Sequence, residues 1–169
     1  MGGVVSNATP LIYLAKAGRL DLLKKLFGKI FIAEEVKIEV VDKGKLLKEN
    51  DASIIERAIE EGWLEVKATE TVKIPINLDE GELATLSLAK QLELATVLID
   101  EVTARVAARL LGLTPRGTVF VLLKALKEKE LTLEDFLDVL SQLIREGFRL
   151  KEEVYVEAAK EAKRIASEA

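Results

Sequence analysis

Short β-branched runs alternate with helical stretches along this chain, and that alternation limits the folds open to it. Val4-Val5, Ile30-Phe31-Ile32, Trp63-Leu64-Glu65-Val66 and Thr96-Val97-Leu98-Ile99 read as strands. Between them lie helical patterns closed by Gly18, Gly28, Gly62 and Gly112, glycine being the residue that most easily ends a helix. Thr9-Pro10 reads as N-cap and first helical residue, Glu35–Val41 as a helix, and Asp51 as the cap of a helix running to Gly62. Residues 68–77, with Pro75, read as a loop before a helix opened by Asp79-Glu80-Gly81-Glu82. Leu113-Thr114 is a short segment before Gly117-Thr118. Helices are then expected over Val119–Lys129, from Thr132, and over Lys151–Ser167. Continuous apolar strands separated by helices predict an α/β fold, with a mainly parallel central sheet and helices on both faces. A length of 169 residues suits one such domain, expected over residues 1–150, with a helical C-terminal extension over 151–169.

The chain contains no cysteine and no histidine. That excludes thiolate nucleophiles, Cys/His zinc sites, the Ser-His-Asp triad and imidazole as general base. Any catalysis must come from carboxylates, lysine, hydroxyls or an oxygen-bound metal. Acidity is concentrated mid-chain: residues 34–101 hold eight Lys/Arg against seventeen Asp/Glu, net −9, whereas the whole chain is −4. Duplex coating by phosphate neutralisation does not fit such a balance. No G-x-G-x-x-G follows a strand and no Walker A loop occurs, so no nucleotide cofactor is expected. No apolar run approaches the roughly 18 residues of a membrane span, and the start lacks the basic region of a signal peptide. The cytoplasm is the expected compartment. Few Asn and Gln, one Met and abundant Lys and Glu suggest a thermophilic source.

In open parallel sheets, ligands bind beyond the carboxyl ends of the strands. Asn7 follows the first strand, Glu39 lies in the helix after the second, Glu82 sits in the first turn of its helix, and Asp100-Glu101 end the Thr96–Ile99 strand. Gathered carboxylates repel one another and call for protons or a cation, and all-oxygen ligands suit Mg²⁺ or Mn²⁺. Each residue also has a plain structural use. Asp79 and Glu82 have capping-box spacing, Glu39 fits a surface helix, Asp100 can cap the helix near Val102, and Asn7 can serve a turn.

Five blocks carry a family resemblance: Ser6-Asn7-Ala8-Thr9-Pro10-Leu11-Ile12; Glu80-Gly81-Glu82 with Leu88-Ala89; Ile99-Asp100-Glu101 with Ala104-Arg105; Gly117-Thr118; and Gly147-Phe148-Arg149-Leu150. In this order the chain resembles PIN domains, metal-dependent ribonucleases found widely as toxins of toxin–antitoxin pairs. The subfamily it resembles opens on a Ser-Asn/Asp-x-Ser/Thr-Pro-Leu motif. The resemblance implies a parallel sheet between helices and an Mg²⁺- or Mn²⁺-dependent endoribonuclease acting on RNA. It implies catalytic roles for Glu39, Glu82 and Asp100, and metal ligation by Asn7, Glu39, Glu82 and Asp100 with Glu101 beside them. Thr9, Arg105 and Thr118 are the matching substrate contacts. Arg105 can instead pair with Glu101 four residues earlier, and Lys24, Lys25 and Lys29 can hold RNA backbone or simply face solvent. Asn7 departs from the family's first acid, since an amide ligates Mg²⁺ without charge and cannot act as a base. The alternative is therefore a catalytically weakened module that binds RNA or protein. The expected partners are RNA, an antitoxin protein and a second copy of the chain; the apolar helices after Gly117 can supply a surface for the last two, although ordinary core packing is the favoured use of them.

Overall fold

The computed structural model describes residues 2–168; Met1 and Ala169, at the ends of the two expected regions, lie outside them. The chain runs β1 (Val4–Ser6), α1 (Ala8–Lys16), α2 (Asp21–Phe27) and β2 (Ile30–Ala33). It continues through α3 (Glu34–Lys37), a π-helical turn over Ile38–Lys43, α4 (Gly44–Leu46), α5 (Asn50–Glu60) and β3 (Leu64–Lys67). After an irregular stretch come α6 (Glu80–Leu92), β4 (Thr96–Leu98), α7 (Val102–Leu110), β5 (Thr114–Arg116), α8 (Thr118–Lys127), α9 (Leu133–Arg145) and α10 (Glu152–Ser167).

The strands form one parallel sheet in the order β3-β2-β1-β4-β5. Val5 pairs with Phe31 on one side and Val97 on the other, making β1 the central strand. Successive side chains of a strand point to opposite faces, yet Val4, Val5 and Ser6 are all buried. Both faces are therefore covered, and the α/β expectation holds. Helix α6 packs on β1, β2 and β4, and buries Ala84, Thr85, Leu86, Ser87, Leu88 and Ala89 in succession. Six consecutive buried residues leave no solvent face along that stretch, so α6 is anchored on all sides there. α10 turns Ala158 and Ala162 inward and contacts α8 and α9.

Four local features differ from the sequence reading. Thr114 opens a true strand, β5, with Leu113 just before it and Pro115 as its middle residue; proline lacks a ladder donor and is tolerated because β5 is an edge strand. Helix α1 starts at Ala8 with Asn7 as N-cap, and Pro10 falls within the first turn, where no N–H is required. Asp51 is no cap: it lies inside the first turn of α5, 6% exposed, with Lys16 Nζ 3.7 Å away. The expected helix over Glu35–Val41 is regular only to Lys37 and then widens into the π turn.

Candidate active site

Strand order reverses at β1, with β2 on one side and β4 on the other, which opens a crevice beyond their carboxyl ends. The backbone fixes what enters it. Asn7 N donates to Leu98 O at 2.9 Å, and Ile99 N donates to Arg116 O at 2.8 Å, so the ladder extends one step past β1 and β4. Asn7 and the Asp100-Glu101 pair therefore leave their strands at adjacent points.

Asn7 is 4% exposed and, although it is the N-cap residue of α1, its side chain makes no cap bond. Its amide turns into the crevice instead, with Nδ2 donating to Glu101 Oε2 at 3.4 Å and Oδ1 accepting from Thr85 Oγ1 at 3.4 Å. Thr85 is fully buried and also donates to Gly81 O at 2.8 Å. Thr9 Oγ1 donates to the other Glu101 oxygen at 2.8 Å. Glu101 is the N-cap residue of α7 and likewise makes no cap bond, leaving its carboxylate to these two donors.

Glu39 reaches the same crevice from the π turn, a local geometry that recurs at functional sites. Gly81 marks where the oxygens meet. A Cβ at position 81 would lie 3.6 Å from each of Asn7 Oδ1, Asp79 Oδ1 and Glu39 Oε1. Beside this point is a cavity of about 230 Å³ lined by Glu35, Glu39, Lys43, Asp79 and Glu80. Glu82 is held in the capping box of α6: Asp79 N donates to Glu82 Oε1 at 3.0 Å, and Glu82 N donates to Asp79 Oδ1 at 2.7 Å. Asp79, which the spacing suggested only as a cap, thus serves as cap and as a member of the oxygen group. The D-x-x-E spacing was its visible signal; Thr85 had none.

Asp100 does not cap α7. It reaches across to the start of α8, where Thr118 N donates to Oδ1 at 2.8 Å and Thr118 Oγ1 donates to Oδ2 at 2.7 Å. Gly117 leaves the room this needs, since a Cβ there would lie 2.8 Å from Asp100 Oδ1 and 3.0 Å from Arg105 Nη1. Arg105 therefore lies beside Asp100. Among the described residues it forms no ion pair within 4.0 Å, with Glu101 or any other acid. Lys24, Lys25 and Lys29 precede β2, at the end of the sheet away from the crevice, and Lys25 and Lys29 pair with acids there.

The charge balance follows from these positions. Loss of hydration pushes Asp100 up, against the two Thr118 hydrogen bonds and Arg105. Glu39 is raised by loss of hydration around its carboxylate and then by Asp79, with Lys43 opposing. Glu82 is raised by loss of hydration, resisted by its capping bond, and raised further by Asp79, Glu101 and Glu39. Acids that resist ionisation together want a proton or a cation. Among the described residues, no three acidic side chains gather closely enough to hold one ion by themselves. The group facing Gly81 is two carboxylates and an amide, an all-oxygen set around a space that a methyl group would fill. Hard divalent cations fit such donors.

The model of the PIN domain family matches residues 3–164. No curated protein and no solved structure matches the chain. With that match extending over nearly its whole length, the chain belongs to the PIN domain family.

Proposed function

We propose that the protein is an endoribonuclease that hydrolyses RNA phosphodiesters with Mg²⁺ or Mn²⁺. The observation that carries this reading is the oxygen group facing Gly81 at the β1/β4 crevice, in a chain whose family is one of nucleases. Asn7, Glu39 and Asp79 would hold the cation, with Glu82, Asp100 and Glu101 reaching it directly or through water. When bound, the cation acidifies water and neutralises charge on phosphoryl oxygens. The remaining work falls to side chains. Thr9 and Asn7 aim the Glu101 carboxylate, and Thr118 aims Asp100. Arg105, beside Asp100 and without an ion-pair partner among the described residues, would bind a phosphate oxygen of the substrate. The test is cleavage of single-stranded RNA in Mg²⁺, in Mn²⁺ and in EDTA, comparing wild type with Glu39→Gln and Asp100→Asn. Equal cleavage by all three proteins sinks the site assignment, and no cleavage by wild type with either metal sinks the nuclease reading.

Asn7 favours a second reading. Its amide brings no charge to the cation and donates to Glu101, which suits a weakened module that binds RNA or protein. Activity that arises only in Asn7→Asp would establish that reading. The toxin members of the family add an antitoxin partner and a homodimer to the proposal; light scattering on the isolated chain reads the second. Among the described residues, no helix is long and apolar enough to cross a membrane.

A further inference from the structure

One margin of the crevice differs in character from the rest. β5 ends on Arg116, and its guanidinium carbon lies 4.7 Å from the centroid of the Phe120 ring, in the first turn of α8. Phe120 is 37% exposed although most large apolar side chains of the chain are buried, and it borders an open groove of about 1110 Å³ between α8 and α10. Arg116 is exposed as well. The pair adjoins the site: Arg116 O accepts from Ile99 N, and between Arg116 and Phe120 stands Thr118, which binds Asp100.

Charge gives the margin a direction. On the Gly81 side the crevice is walled by Glu35, Glu39, Asp79 and Glu80, with Lys43 as the single base in that wall among the described residues. On the Gly117 side stands the guanidinium of Arg105, and Arg116, the residue before Gly117, lays its own over Phe120 in the first turn of α8. A polyanion whose reacting phosphate sits at the carboxylates is repelled along the first side and attracted along the second. What it meets there is a flat aromatic surface topped by a flat cation. Unpaired nucleobases stack on both kinds of surface, whereas bases inside a duplex have no free face to offer. A guanidinium already laid on the ring is held in place for that contact.

We propose that Arg116 and Phe120 form a stacking platform for one unpaired nucleobase flanking the cleaved phosphate, so that the RNA taken by this site is single-stranded on the α8 side. The proposal rests on the ribonuclease reading for its substrate, and binding is separable from cleavage. Phe120→Ala removes the stacking surface at an exposed position. Arg116→Ala removes one positive charge as well as the upper face of the platform. Phe120→Tyr keeps the ring.

The experiment is fluorescence anisotropy of a labelled single-stranded RNA and of its duplex, in EDTA over a series of salt concentrations, with cleavage in Mg²⁺ assayed in parallel. Phe120→Ala should weaken single-strand binding about 5- to 150-fold, the cost of one lost base stack. Its salt dependence should not change. Phe120→Tyr should bind as wild type does. Arg116→Ala should both weaken binding and reduce the slope of log affinity against log salt by about 0.7. Duplex binding should not respond to Phe120→Ala. Single-strand binding by Phe120→Ala equal to wild type overturns the platform, even if wild type cleaves RNA. Loss of binding in Phe120→Ala by a wild type that binds but never cleaves upholds the platform and removes the nuclease reading. A wild type that binds no RNA removes both.

Discussion

The amide nitrogen of Asn7 donates to the Glu101 carboxylate at 3.4 Å, tying the end of β1 to the end of β4 across the crevice. A carboxylate at position 7 would face Glu101 with like charge in a site that is 4% exposed at that residue. The neutral residue therefore supports the cation-free protein and would weaken its hold on the proposed cation. The same change should act oppositely on those two properties.

Asn7→Asp should accordingly lower stability in EDTA by about 1–3 kcal/mol, the usual cost of a buried polar group set against an unfavourable neighbour. The same variant should gain more than wild type from added Mn²⁺. Thermal melts with and without Mn²⁺ read both effects. An unchanged melting temperature in EDTA, or no larger response to Mn²⁺, contradicts this account of the pair.

Gly81→Ala separates folding from cation binding. The added methyl meets three oxygens at 3.6 Å, ordinary contact distance, and replaces a glycine inside helix α6. Helix propensity alone should stabilise the protein in EDTA by about 0.5–1 kcal/mol. The methyl would also press against the three oxygens proposed to hold the cation, so the Mn²⁺-dependent rise in melting temperature should disappear. If that rise persists in the alanine variant, the cation binds elsewhere.

Thr118→Val keeps the shape of a fully buried residue but removes the hydroxyl that donates to Asp100 Oδ2. The carboxylate then loses one of its two donors while remaining mostly desolvated. A loss of about 1–3 kcal/mol is expected. On the proposed nuclease reading RNA cleavage should fall with it, because Asp100 keeps only the Thr118 backbone N–H as a donor. Full activity in a stably folded Thr118→Val would leave Asp100 without need of that anchor.

The raised carboxylates set a pH dependence. An acid whose pKa is higher folded than unfolded binds its proton more readily in the native state, so native stability falls as pH rises between the two values. For Glu39 that window opens at the usual Glu value of 4.5 and extends above it. In EDTA, Glu39→Gln should melt above wild type near neutral pH, and the difference should shrink as pH is lowered through the window. A difference that is constant from neutral pH to about 4.5 argues against burial and Asp79 as the source of the strain.

What the chain reveals about itself divides by range. β1, β2 and β4 are visible because strands buried on both faces read as unbroken apolar runs, and the stops at Gly18, Gly28, Gly62 and Gly112 are visible because each takes a positive φ. The capping box of α6 is likewise a local pattern. β5 escapes notice because Pro115 argues against a strand unless its place at the sheet edge is known. The pairing of Asp100 with Thr118 spans 18 residues and that of Asn7 with Glu101 spans 94. No local spacing rule reaches so far. Hence Asp100 could be read as a cap for its own helix, when it serves the helix that follows the next strand. The widening at Ile38–Lys43 also has no compositional mark, and it is there that Glu39 acquires its direction.

A π turn spends more residues per revolution than the 3.6 of an α-helix. The aim of Glu39 is consequently timed by how many residues lie in that turn, and less by which ones they are. Shortening the segment by one residue would rewind it and swing the carboxylate off the crevice, while most side-chain exchanges on its outer surface would leave the aim intact. For this wall of the site, the number of residues in the turn matters more to the aim of Glu39 than the identity of its outer side chains.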